Sequence, residues 1–132
     1  MAETMQFDLV SPERRLASFL ASSVEIPGAD GDLTVMAGHT PVITTLRPGV
    51  LKVEGPEGKQ SYLVSGGFAR ISAGAASVLA EKAMTVGDVR AEDMDMLIAA
   101  ANETVGKASG DARDVAERQL ADLQSLRSVI GV

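Results

Sequence analysis

The sequence predicts an α+β protein: an antiparallel β domain, a sandwich or a barrel, followed by an antiparallel pair of helices. Three observations carry this prediction. From residue 5 to about residue 84 apolar residues recur with a period near two, and Gly and Pro signals cut them into short runs. From about residue 88 the apolar period lengthens to that of a helix. The length, 132 residues, holds one ordinary domain with a small appendage and excludes two large domains. The boundary is drawn at the change of period, giving a β domain over residues 1–86 and a helical hairpin over residues 87–132.

The strands follow in order. Met5, Phe7 and Leu9 alternate with Gln6, Asp8 and Val10 until Ser11-Pro12-Glu13 ends the run. Residues 15–26 place Leu16, Ser18 and Leu20 on one face, then Val24 and Ile26, before Pro27-Gly28. Leu51 and Val53 precede Gly55-Pro56-Glu57-Gly58, and Tyr62 and Val64 follow it, the pattern of a hairpin. Residues 68–81 repeat the theme around Ala73-Gly74-Ala75. A parallel sheet would need a helix between strands, and none is signalled before residue 88.

The helices are marked by stripes. Met94, Leu97, Ile98, Ala101 and Val105 share one side of the first, with Asp88 as the expected N-cap and Gly106 or Gly110 as the stop. The second is expected from Asp111 or Ala112 to Ile130, its stripe formed by Ala112, Ala116, Leu120, Leu123, Leu126 and Ile130. The polar link over residues 105–111 is short, so the helices fold back on one another. A hairpin this short is marginal by itself, because helices in proteins are stabilised mainly by packing of the apolar face.

Composition narrows the function. Apolar residues make up 45% of the chain, yet there are only three Phe, one Tyr and no Trp, so the core is mainly aliphatic. With no Cys there is no disulfide, thiolate nucleophile or Cys-ligated metal. A net charge of −6 with twelve scattered Lys and Arg argues against nucleic acid as a partner. The N-terminal residues have neither the apolar run of a secretory signal nor the acid-poor character of an organelle-import peptide. No apolar run approaches the roughly 20 residues of a membrane-spanning helix, so contact with a membrane would come through a partner.

Candidate reactive groups are few. His39, the only histidine, has Asp30 and Asp32 nearby in sequence, which sketches a base or metal ligand. A metal site usually wants a second imidazole or more carboxylates, and a loop histidine bonded to backbone accounts for it as well. Asp30-Gly31-Asp32 lacks the glutamate that closes an EF-hand loop, which leaves a solvated turn. Residues 65–69, Ser-Gly-Gly-Phe-Ala, lack the Lys-Ser or Lys-Thr pair of a phosphate loop. Paired glycines in a strand mark a bulge or a close backbone approach instead. Met94 fits the helix stripe and Met96 lies off it, while Met84 precedes both. Arg113, Arg118 and Arg127 read as solvated faces with i, i+4 pairs such as Asp114–Arg118. The competing reading is a small β-rich ligand-binding module or hydrolase built on His39 with Asp30 or Asp32.

Residues 27–53 hold the most specific pattern: Gly28, Gly31, Asp32, Leu33, Val35, Gly38, His39, Thr40, Pro41, Val42, Pro48 and Gly49. With residues 7–14, the 65–69 segment and residues 77–89, it resembles the epsilon subunit of the F-type proton-translocating ATP synthase, over essentially the whole chain. The resemblance implies a sandwich of about ten strands followed by two helices. It implies a central-stalk rotor subunit that couples proton flow to ATP synthesis without chemistry or cofactor of its own. Its implied partners are the gamma subunit and the c-ring, with the catalytic alpha and beta subunits reached through the C-terminal helices. The implied location is the cytoplasmic face of the bacterial inner membrane, peripheral through the ring. Gly31, Asp32 and His39 become candidates for the ring contact. Met94, Ile98, Leu120 and Leu123 become candidates for gamma contact or hairpin docking. Some relatives hold ATP through a motif Ile/Leu-Asp-x-x-Arg-Ala. Here one register places Arg90 and Asp93 in each other's expected roles, and the other places Ile98 where arginine belongs, so weak or absent nucleotide binding is expected. Regulation by the helices is implied as well. With only Arg113, Arg118 and Arg127 on the second helix, weak inhibition is expected.

Overall fold

The computed structural model describes residues 3–132. It contains β1 (Met5–Val10), β2 (Arg15–Ala21), β3 (Ser23–Gly28), β4 (Gly31–Met36), β5 (Val42–Leu46), β6 (Gly49–Gly55), β7 (Gly58–Val64), β8 (Gly67–Ile71), β9 (Ala75–Ala80) and β10 (Ala83–Thr85). A 3-10 turn over Val86–Asp88 leads to α1 (Ala91–Lys107) and α2 (Gly110–Ile130). The chain divides into two compact units, Met1–Gly87 and Asp88–Val132.

In the first unit the strands run in the order β10-β7-β6-β3-β5-β8-β9-β1-β2, with β4 paired to β3 outside that path. The link between β3 and β5 narrows to one residue pair, Gly28 with Leu46, and there the sheet folds over into two layers. Met5, Phe7 and Leu9 alternate inward as their spacing predicts, joined by Val24, Ile26, Val35, Leu51, Val53, Val64, Ile71 and Val78. Each such side chain, fully removed from water, contributes about 1.5–3 kcal/mol. The few aromatics are concentrated: the Phe7 ring lies 5.4 Å from Phe19 and 6.3 Å from Tyr62. No polar or charged side chain is buried among the described residues, so the core needs no internal polar network.

Three strand-level expectations are corrected. Leu16, Ser18 and Leu20 do not form the inner face of β2; Ala17 and Ala21 are buried and Leu20 is 53% exposed. The cause is the register, which sets Ala21 against Met5, Phe19 against Phe7 and Ala17 against Leu9. Large β1 side chains leave room for alanines opposite, and a one-residue shift turns every side chain over. The run over residues 15–26 is two strands, broken at Ser22, whose N–H donates to the Glu54 carbonyl at 2.7 Å. The sheet is also not wholly antiparallel, because β1 and β9 pair in parallel. The many residues between them in sequence satisfy the long connection that a parallel pair requires.

In the second unit α1 and α2 form an antiparallel pair, joined through Ala108 and Ser109. The Asp95–Arg127 ion pair brings the start of one helix to the end of the other. Met94, Ala116, Leu123 and Leu126 are buried, and Ile98, Leu120 and Ile130 are half-buried. Ala112, expected in the stripe, is exposed, in the first turn of α2. Asp88 does not cap α1. It lies in the preceding 3-10 turn; Arg90 is the N-cap, and the Asp93 carboxylate accepts the Arg90 N–H at 2.9 Å. Gly106 lies inside α1, and Gly110, at φ +62, opens α2 rather than ending α1. The i, i+4 ion pairs among the described residues are Glu103–Lys107 at 2.9 Å in α1 and Arg113–Glu117 at 3.0 Å in α2, the latter in place of Asp114–Arg118. At α2's end Gly131 takes the left-handed conformation and its N–H reaches the Arg127 carbonyl, the usual glycine termination.

Candidate functional site

The glycine- and proline-rich segment builds one lip of the β unit. Gly31, at φ +137, lets β3 turn back into β4, and at Gly28 a side chain would press to 2.6 Å from the Gly31 carbonyl oxygen. The connection from β5 to β6 lies alongside. A Cβ at Gly49 would meet Pro27 at 2.6 Å, so glycine is what allows the two turns to touch. Backbone bonds then join them: the Ala29 N–H donates to the Thr45 carbonyl at 2.8 Å, and the Arg47 N–H to the Pro27 carbonyl at 3.0 Å. On the outside of this joint Arg47 Nη2 donates to Asp32 Oδ1 at 3.1 Å. Sequence reasoning singled out Asp32 and missed Arg47. Its only signal was a basic residue fifteen positions later beside Pro48-Gly49, which spacing alone does not join to Asp32.

His39 is elsewhere. It follows the far end of β4, roughly 13 Å of strand beyond Asp32 by the time Met36 is reached. Its N–H donates to the Met36 carbonyl at 3.1 Å, and its Nδ1 lies 2.6 Å from the Thr40 carbonyl oxygen. The structure therefore brings Gly31 and Asp32 together and sets His39 apart from them and from Asp30. No cluster of three or more His, Asp or Glu suited to a metal ion is formed among the described residues.

The paired glycines of residues 65–69 serve strand contact. Gly66 and Gly67 have φ of +151 and +122, and a Cβ at Gly67 would overlap the Leu79 carbonyl oxygen and lie 2.9 Å from the Ala80 Cα. This is the close backbone approach that two glycines in a strand signal.

The outer face of β5, β8, β9 and β1 carries an apolar row that composition did not reveal. Registers align Thr45 with Phe68, Phe68 with Leu79, and Leu79 with Val10 across four neighbouring strands. Ile43 stands one row away, opposite Arg70. Phe68 is 45%, Leu79 42% and Ile43 68% exposed, so large side chains face water on one side of a rigid sheet. Grouped exposure of this kind marks contact surfaces, whereas single exposed apolar residues are ordinary. At another end of the unit Phe19, Leu20, Gly55, Glu57, Gly58, Gln60 and Tyr62 line a hollow of about 190 Å³. Burial raises the Tyr62 pKa above the usual phenol value, so its hydroxyl stays protonated at neutral pH.

In the helical unit both carboxylates of the would-be nucleotide motif already have partners. Asp93 accepts the backbone N–H at the start of α1, and Asp95 pairs with Arg127. Ile98, half-buried, offers no charge at the arginine's position.

Comparison with known proteins places this geometry in context. The family model described as "ATP synthase, Delta/Epsilon chain, beta-sandwich domain" matches residues 4–86. The chain is 56% identical over 131 residues to the ATP synthase epsilon chain of Cereibacter sphaeroides, covering 99% of each. It is 57% identical over 129 residues to the ATP synthase epsilon chain of a Jannaschia species, covering 97% of this chain and 98% of the relative. Among solved structures it is similar in fold to a chain of the Euglena gracilis mitochondrial ATP synthase OSCP/F1/c-ring assembly, with a TM-score of 0.72, 22% identity, and coverage of 96% of this chain and 81% of that one. A chain of the Tetrahymena thermophila mitochondrial ATP synthase central stalk and c-ring gives a TM-score of 0.70 at 18% identity, covering 98% of each.

Proposed function

This chain belongs to the ATP synthase epsilon-chain family, and on that premise we propose that it works as a central-stalk subunit, a coupling bracket between gamma and the membrane ring that makes and breaks no bonds itself. The observation that carries this reading is the exposed pair Phe68 and Leu79, with half-buried Val10 in the same row and exposed Ile43 in the next, on a sheet face built from four hydrogen-bonded strands. Such a face binds by burying apolar area. We assign it to gamma. The glycine-built lip with Asp32 is assigned to the polar loops of the ring, where a carboxylate forms charge-assisted hydrogen bonds strengthened by partial desolvation. His39 lies beyond the far end of β4 from Asp32, so the hydrolase reading loses the Asp30 or Asp32 partner it needs for His39.

The subunit is placed at the cytoplasmic face of the bacterial membrane, held there by its partners; no helix among the described residues is long and apolar enough to cross a membrane. Of the helical candidates, Met94 and Leu123 are buried within the chain and Ile98 and Leu120 half-buried, so they serve the hairpin in this conformation. They reach gamma or the catalytic subunits only if the hairpin rearranges.

The test is recovery of the tagged full chain from detergent-solubilised membranes. Stoichiometric gamma and ring subunits are expected with the natural chain, and Phe68→Glu with Leu79→Glu is expected to lose gamma while leaving the fold intact, since both side chains are already exposed. Unchanged gamma recovery by that double variant overturns the assignment of this face.

A further inference from the structure

We propose that Arg47 is a positioning residue of the lip: it holds Asp32 in one orientation, so that a carboxylate oxygen and a guanidinium are presented side by side to a polar loop of the membrane ring. This rests on the reading of the lip as the ring contact, and it adds a second residue and a recognition chemistry to it.

The two residues are fifteen apart in sequence and come from different turns, so their contact depends on the joint beneath them. That joint is stiff. It is closed by the Ala29–Thr45 and Arg47–Pro27 backbone bonds and by the approach of Gly49 to Pro27 that excludes any side chain. The Arg47 backbone is itself one of the tied points, so its side chain starts from a fixed root and crosses to Asp32. Only Asp32 Oδ1 is used, leaving Oδ2 without a side-chain partner among the described residues. Asp32 and Arg47 are 59% and 43% exposed at the side chain, so the pair faces outward.

An exposed ion pair of this kind adds little to folding. Its consequence lies in binding. A carboxylate already held in place does not have to be immobilised at the moment of contact. The planar guanidinium keeps further N–H donors beside it, in a fork whose geometry an ammonium does not reproduce. The complementary surface is a loop that places a cation or backbone N–H donors against Asp32 Oδ2 and a carbonyl or carboxylate oxygen against Arg47. A loop of one charge sign meets a repulsive partner in one of the two, which gives the lip selectivity as well as affinity.

The experiment titrates the full chain and its variants onto detergent-solubilised gamma–ring rotor lacking this subunit, and in parallel onto gamma alone. Arg47→Gln and Asp32→Asn are each expected to weaken binding to gamma–ring by about two- to tenfold, the cost of ordering one or two side chains at an interface. Binding to gamma alone is expected to stay unchanged. The double variant is expected to lose less than the product of the two single losses, and Arg47→Lys, which returns the charge partner but not the fork, to recover only part of the affinity. If Asp32→Asn weakens binding and Arg47→Gln does not, the positioning role is overturned while the ring reading stands. If the two losses multiply in full, the two residues act independently and positioning is overturned. If neither variant weakens gamma–ring binding, or both weaken gamma alone to the same extent, the lip is not the ring contact and the proposal falls with that reading.

Discussion

Substituting Gly67 by alanine tests the close packing of β8 on β9 at one atom. The added Cβ overlaps the Leu79 carbonyl oxygen and comes within 2.9 Å of the Ala80 Cα and 3.0 Å of the Leu79 carbonyl carbon. All three are backbone atoms, so no side chain can swing away to make room. The residue also sits at φ +122, where an L side chain is strained. Backbone strain of this kind costs about 1–3 kcal/mol. Overpacking that forces the backbone to shift costs about 1–3 kcal/mol more. The expected loss is therefore about 2–6 kcal/mol, a large share of the roughly 5–15 kcal/mol that stabilises a domain. Gly74→Ala is the matched control, because nothing lies within 4 Å of its Cβ. It should change stability by less than about 1 kcal/mol. Urea unfolding followed by the fluorescence of the only tyrosine, Tyr62 in β7, reports on the β unit without interference from tryptophan. At a urea dependence of about 2 kcal/mol per M, the Gly67 variant's midpoint falls by about 1–3 M. If it unfolds within about 0.3 M of the natural chain, the argument from the β8–β9 approach is wrong.

Tyr62 makes an alkaline prediction whose sign follows from burial. Its folded pKa lies above the unfolded value near 10, so folded and unfolded chains bind equal protons at neutral pH and the unfolded chain loses its phenol proton first. Stability should therefore fall as pH rises through about 10, and Tyr62→Phe should flatten that fall; phenolate absorbance of the folded chain rising at the ordinary tyrosine pH refutes the shift. For the helical unit, calorimetric titration of the full chain with ATP should show no micromolar site, since Asp93 and Asp95 are engaged and Ile98 stands where a cation is needed. Removal of residues 88–132 should raise ATP hydrolysis by the reassembled enzyme only slightly, and a large rise would show that the helices inhibit strongly.

How much of this was legible in the sequence depended on range. Alternation of Met5, Phe7 and Leu9, the hairpin at residues 55–58 and the helical stripes through Met94 and Leu123 could be read because neighbours within a few residues decide them. Gly66-Gly67 was legible as a close approach, though not which backbone approached. The inner face of β2 is not legible locally because both of its faces carry apolar residues: Leu16 and Leu20 on one, Ala17, Phe19 and Ala21 on the other. The choice between them was made by β1, whose large residues face the small ones. At the start of α1 capping propensity favours Asp88, whereas the chain uses Asp93 to accept the backbone N–H of Arg90 that precedes the helix.

The sequence by itself determined the α+β class, the place where strands give way to helices, the aliphatic core, and the specific run of glycines and prolines that carries family membership. These are local properties, set by periodicity and by backbone preferences that each residue brings with it. Only the tertiary structure decided that Asp32 meets Arg47 and that His39 does not join them. It alone decided that β1 enters the sheet parallel to β9, and that Phe68, Leu79 and Val10 line up across three strands with Ile43 in the neighbouring row. Those relations span long stretches of chain, and register and fold-over settle them through the packing of the whole core, a quantity that no short window of residues contains.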